Sequence, residues 1–128
     1  RLDPTLTERR SRDGRLEMLG IESADPRWVA ASIDSLMHTA YRLRAIGTIA
    51  SALCQVAAAR FDAMVSLRRV RAVDAAAGQL IVREAGGLVS FPGSEAPLGV
   101  ALDAVPRAHL IAARSAETLR ELEAVPNQ

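Results

Sequence analysis

The sequence contains no lysine: all of its 16 basic side chains are arginine. Any anion site must therefore be built from planar guanidinium forks and backbone amides, not from ammonium groups. Aromatic residues make up only 3% of the chain, which excludes a stacked-ring platform for nucleic-acid bases. A formal net charge of +1 gives no overall field to attract nucleic acid or a membrane surface. Cys54 is the one cysteine, so no internal disulfide can form and the chain reads as intracellular, with a cytoplasmic setting expected. No apolar run approaches the length of a membrane span and no signal peptide is visible.

What is present is enough for one packed domain. The chain has 128 residues, 49% of them hydrophobic, and can bury a real core. It lacks an initiating Met and opens in a charged stretch from Arg1 to Arg15. Residues 1–14 read as a linker or loop and residues 15–128 as an α/β domain, a piece of a longer protein.

Patterning along the chain alternates between strand and helix. Arg15 to Ile21 alternates like a strand. Asp25-Pro26 then gives an N-cap followed by proline at the first helical position. Helical spacing of Trp28, Val29, Ile33, Leu36, Met37 and Ala40 predicts one helix over about 26–39. Tyr41 to Ile46 reads as a short strand. Gly47 and Thr48 open a second helix running to about Arg60, with Ile49, Leu53 and Val56 or Ala57 inward and Cys54 on the apolar side. Asp62 to Leu67 reads as a strand and Arg68 to Val73 as a basic connection. Asp74 starts a third helix, closed by Gly86 as a left-handed cap. Leu88 to Phe91 is a strand, Pro92 to Pro106 a loop and His109 to Ala113 a strand. Ser115 caps a last helix with Glu117 in its first turn. Such alternation predicts an α/β fold with a mostly parallel or mixed sheet flanked by helices.

Two strand-to-helix corners draw attention, because open α/β sheets place ligands at the carboxyl ends of their strands. One is Gly47-Thr48, where backbone amides at a helix start attract anions and hydroxyls. Many structural turns look the same. The other is Asp74. A carboxylate at a helix start can reach a hard cation such as Mg2+, but one carboxylate is not a site, and spacing alone favours a helix cap. The arginines Arg42, Arg44, Arg68, Arg69 and Arg71 suit phosphate or a solvated face. His38 and His109 have no ligand-spaced partner and read as structural.

Taken in order, these segments carry a family resemblance. Arg44-Ala45-Ile46-Gly47-Thr48-Ile49-Ala50, Cys54-Gln55-Val56-Ala57-Ala58, Phe61-Asp62-Ala63, Val73-Asp74-Ala75-Ala76-Ala77-Gly78 and Ile81-Val82-Arg83-Glu84-Ala85-Gly86-Gly87 together resemble the C-terminal half of the inositol monophosphatase family. The resemblance runs roughly from Gly14 to Ala124. It implies a layered arrangement of which this chain is the second α/β unit, and a Mg2+-dependent phosphatase acting on inositol phosphates or related sugar phosphates. Asp74 matches the aspartate that ligates Mg2+ and touches a substrate hydroxyl. Gly47 and Thr48 match a turn that contacts the sugar ring, and Ile49 stands where the family often has Ala.

The departures shape the expectation. Val73 replaces the Trp of the familiar signature, and Ser66 stands where inositol-binding members carry Glu. The connection Leu67-Arg68-Arg69-Val70-Arg71 is similar to the branch that also handles fructose bisphosphate. Its charge makes Arg68 and Arg71 candidate contacts for a second phosphate. The family's Glu-Glu pair and Asp-Pro-x-Asp-Gly-Thr motif, which supply most metal ligands, are absent from this sequence. The expectation is a chain that lacks its N-terminal half and hydrolyses little or nothing alone. The rival is a non-catalytic interaction or regulatory module that kept the fold and binds a partner or another copy of itself. Nucleic-acid binding through the arginines is the weakest reading.

Overall fold

The computed structural model describes residues 8–92 and 107–125, with 72–74, 77, 107 and 108 described by their backbone alone. Among the described residues the elements follow in the order β1 (Leu19–Glu22), α1 (Pro26–Ala31), α2 (Ile33–Thr39), β2 (Leu43–Arg44), α3 (Ile49–Ala57), β3 (Ala63–Ser66), β4 (Val70–Arg71), α4 (Ala72–Glu84), β5 (Leu88–Ser90), β6 (Arg107–Ala108), β7 (Ile111–Ala113) and α5 (Ala116–Leu122). Five strands form one mixed sheet in the order β2-β1-β3-β7-β5, and β4 pairs with β6 in a separate ribbon.

The sheet has two halves. β1 runs parallel to β2, with Leu19 opposite Leu43, and parallel to β3, from Leu19 opposite Ala63 to Glu22 opposite Ser66. β7 is antiparallel to both β3 and β5. Both faces are covered, so every residue of β1, β3 and β7 is buried, as expected for central strands packed on two sides. One core gathers Leu53, Val56, Met64, Val82 and Leu110 beneath α3 and α4. The other gathers Leu19, Ile21, Leu36, Val65, Ile111 and Leu122 beneath α2 and α5.

Local chemistry sets the helix ends. The Asp25 carboxylate accepts from the Arg27 amide and Pro26 takes the first helical position. The Ser115 hydroxyl accepts from the Thr118 amide at 3.2 Å. Gly86 follows α4 at φ +92°, the left-handed closure that glycine adopts without strain. Gly78 lets α4 lie against α3: a Cβ there would stand 2.5 Å from Leu53 Cδ1 and 3.0 Å from Leu53 Cβ.

Four expectations need correction. The helix expected over about 26–39 is two helices, broken at Ser32 (φ −105°, ψ 7°). Ser32 is buried, and the break leaves Ile33 and Met37 exposed while Leu36 enters the core. Cys54 is exposed, not core, because the buried stripe of α3 is Ala52, Leu53, Val56 and Ala57. The basic connection contains a strand, β4, since Val70 is buried and pairs with Ala108. Finally, α4 starts at Ala72 with Arg71 at the N-cap and no side-chain cap. Asp74 is therefore the third helical residue and does not begin the helix.

Residues 8–16 lie against the sheet. Asp62 is buried and accepts from the Arg9 amide at 2.8 Å, Arg9 Nε at 3.0 Å and the Met18 amide at 2.9 Å. The loop expected over 92–106 lies outside the described residues except at its first position. Among the described residues, no helix is long and apolar enough to cross a membrane.

Candidate functional site

Three chain segments leave the carboxyl ends of the parallel strands and meet around one cleft of about 510 Å³. From the end of β1 come Glu22, its last residue, then Ser23, Ala24 and Asp25, with Trp28 on α1. After β2 come Gly47 and Ile49. After β3 come Arg68, Arg69, Val70 and Arg71. The fold thus brings Gly47, Ile49, Arg68 and Arg71 together, with Arg69 of the same arginine cluster beside them.

Each of them has a definite local role. Gly47 has φ +103°, a backbone state that a side chain would strain. Thr48 is the N-cap of α3, its hydroxyl accepting from the Ser51 amide at 3.1 Å. Ile49 is the first residue of α3 and partly buried against the core. Arg71 is the N-cap residue of α4, exposed at the cleft. The Arg68 guanidinium carbon lies 4.8 Å from the centre of the Trp28 ring, a cation–π distance. The Asp74 backbone lies in the first turn of α4, just beyond Arg71; its side chain is outside the described residues.

Sequence reasoning missed Glu22, Ser23 and Trp28 as cleft residues. Glu22 is 4% exposed, and its carboxylate accepts from the Ile46 amide at 3.0 Å and the Gly47 amide at 3.1 Å. Its one signal in the sequence is an acid ending the apolar run Leu19-Gly20-Ile21. Ser23 has φ +59°, uncommon for a residue with a side chain and associated with functional loops. The Trp28 indole N–H is buried with no acceptor among the described residues.

The electrostatics of the cleft are mixed. Three arginines (Arg68, Arg69, Arg71) face two carboxylates (Glu22, Asp25). The Arg27 side chain and amide, helped by the charge of Arg68, hold Asp25 down at about 2. It remains an anion at neutral pH, with one oxygen 2.8 Å from Arg27 Nη2.

The family resemblance implies Mg2+. Among the described residues, no group of three or more His, Cys, Asp and Glu side chains forms a metal cage. Both cleft carboxylates are already engaged, Glu22 by amides and Asp25 by Arg27. These side chains do not by themselves fit a hard cation, which prefers several oxygen ligands.

Comparison with known proteins places this geometry. The inositol monophosphatase family model matches residues 5–125. A fructose-1,6-bisphosphatase/inositol-1-monophosphatase of Methanothermobacter thermautotrophicus is 44% identical over 59 residues, 45% of this chain and 21% of that enzyme. The IMPase of Thermotoga maritima superimposes with a TM-score of 0.66 at 27% identity, covering 94% of this chain and 46% of that one. SaIMPase-II with bound inositol monophosphate shares the fold, with a TM-score of 0.67 at 18% identity over 94% of this chain and 46% of its own. The chain spans about half the length of the solved relatives it matches. The mixed sheet, the flanking helices and the ordered motifs agree with these matches: the chain belongs to the inositol monophosphatase family.

Proposed function

We propose that this chain supplies the substrate-seating part of a metal-dependent phosphatase that hydrolyses inositol phosphates or related sugar phosphates in the cytoplasm. One observation carries the reading: the Gly47–Ile49 corner and the arginine run 68–71 line the same cleft. A ligand with both hydroxyl and phosphate groups suits those two ends. Gly47 lets a sugar ring approach the backbone closely. Thr48 fixes the start of α3 behind it, and Ile49 offers an apolar contact. Arg68, held over Trp28, and Arg71 are planar donors suited to a second phosphate.

Asp74 is the metal ligand that the family resemblance assigns to this chain. The remaining ligands would come from the N-terminal half of the family, which this sequence lacks. Residues 15–128 form the C-terminal unit on this reading. The expected outcome with Mg2+ and inositol-1-phosphate is little or no phosphate release from this chain alone, together with ligand-induced shifts of Gly47 and Ile49 amide signals. Clear turnover that disappears in Asp74→Asn would overturn the incompleteness. No amide shift at the corner would overturn the seat.

A second reading, an interaction module, draws on the outer face of α3 and α4. There Leu80 is 58% and Ile81 45% exposed, beside Cys54 along an apolar groove of about 720 Å³. Exposed apolar surface of this kind suits a second copy of the chain. A monomeric mass by sedimentation would remove that reading, and a dimer disrupted by Leu80→Glu would favour it.

A further inference from the structure

We propose that Glu22 is a positioning and specificity residue: its carboxylate sets the Gly47 turn and closes it to phosphate. The inference rests on the preceding reading only in taking the cleft as a substrate site.

Amides at the start of a helix form a ready anion site. Here the turn just before that start already holds an anion of the chain's own. The Ile46 and Gly47 amides each donate to one oxygen of Glu22, at 3.0 and 3.1 Å. At the helix start itself, the Ser51 amide goes to the Thr48 hydroxyl. Glu22 is 4% exposed, and a carboxylate this buried needs such donors to offset the loss of water. The arrangement is tertiary: β1 delivers the acid, and the left-handed Gly47 turns the amides toward it.

Selectivity follows from the sign of the charge. A phosphate oxygen arriving at Gly47 meets a like charge, with the Gly47 amide already taken. A hydroxyl meets acceptor lone pairs, because each Glu22 oxygen accepts one of the described hydrogen bonds and a carboxylate oxygen can accept two. Anionic groups are thereby confined to the end of the cleft with Arg68 and Arg69. The substrate class that fits is a polyol phosphate lying with hydroxyls toward Glu22 and its charge toward the arginines.

The test uses the full 15N-labelled chain and inorganic phosphate as the probe, followed by NMR in wild type, Glu22→Gln and Glu22→Ala. In wild type, phosphate should move arginine Nε signals and leave Gly47 unmoved. In Glu22→Ala, phosphate should move Gly47 with roughly fivefold higher apparent affinity at that amide, the size expected from removing a nearby like charge in a wet cleft. The Ile46 and Gly47 amide protons should shift upfield in Glu22→Ala. Glu22→Gln, which keeps one acceptor oxygen, should restore one of them. Glu22→Gln also removes the charge at nearly constant shape, so it decides the matter if Glu22→Ala does not fold. A wild-type Gly47 that responds to phosphate as strongly as in the variants overturns the proposal, as does a Gly47 that responds in none of them. Because the probe is phosphate, failure here is separate from a failure to bind or hydrolyse a sugar phosphate.

Discussion

The parallel and antiparallel halves of one sheet do different work. β1, β2 and β3 point the same way, so the segments leaving them emerge at a common edge. Every described residue lining the cleft comes from those segments or the helix starts that follow. β7 runs the other way, and β5, although it points with β1 to β3, lies beyond β7 at the far side of the sheet. Their neighbourhood is instead tied by side chain to backbone. The Leu110 amide donates to the Ser66 hydroxyl at 2.9 Å, Arg83 Nη2 to the Val89 carbonyl at 3.2 Å, and Arg114 Nη1 to the Val56 carbonyl at 3.2 Å. Direction and place in the sheet together therefore sort a ligand-facing half from a structural half, in line with the way α/β sheets bind at strand carboxyl ends.

The strongest way to break this comparison is a matched pair of core truncations. Leu53 lies on α3, which packs on β1, β3 and β7 and opens at the cleft. Leu122 lies on α5, a helix packed on β7 and β5 and remote from the cleft lining. Both are 0% exposed, so Leu53→Ala and Leu122→Ala should each cost about 3 kcal/mol by chemical denaturation. Only Leu53→Ala should shift the Gly47 and Ile49 amide signals. Equal disturbance of the cleft by both would show that the halves are not separable.

A smaller effect is expected at the seam. β3 belongs to both halves, and Ser66 at its end is 0% exposed with its hydroxyl accepting from Leu110. Its amide donates to the Leu110 carbonyl at 2.9 Å. Ser66→Ala leaves a buried N–H without an acceptor and should cost about 2 kcal/mol in a denaturant midpoint. Ser66 is thus a structural pin at the end of β3. Ser66→Ala should therefore lower stability without altering phosphate binding at the arginines.

The legible parts of the molecule were those set by neighbours in sequence. Asp25-Pro26, Ser115 and Gly86 act within a few residues of themselves, so their capping roles could be read directly. The mixed sheet followed from the alternation of elements. The break at Ser32 was not legible, because its cause is burial of that residue, with its hydroxyl 3.5 Å from the Val125 carbonyl 93 positions away. β4 was hidden for the same reason, since its partner is β6. At the cleft, the Gly47 corner and the arginines stood out as residue types, whereas Glu22 did not. An acid at the end of an apolar strand has no local partner, and its meaning appears only when β1 and the Gly47 turn meet.

The smallest expected effect sharpens the contrast between the cleft and the rest of the surface through two matched carboxylates. Asp25, at the cleft, is lowered from 3.8 to about 2 by hydrogen bonds from Arg27. Asp13, in the N-terminal segment, is lowered to about 2 by hydrogen bonds from Ser11 and Arg15. In both, folding favours the charged form. Their contribution is present in full above the ordinary value of 3.8 and is lost as pH falls toward about 2. Both are exposed enough for water and salt to screen them, so the loss of stability on acidification should be slight and smaller still at high salt. Asp25→Asn and Asp13→Asn should each flatten the acid limb of a urea-midpoint profile. Only Asp25→Asn should also move the Arg68 Nε signal, because Arg68 is the second cation whose charge Asp25 feels. An Arg68 signal that ignores Asp25→Asn would detach the arginine end of the cleft from the loop after β1, leaving strand direction as the only link among its three segments.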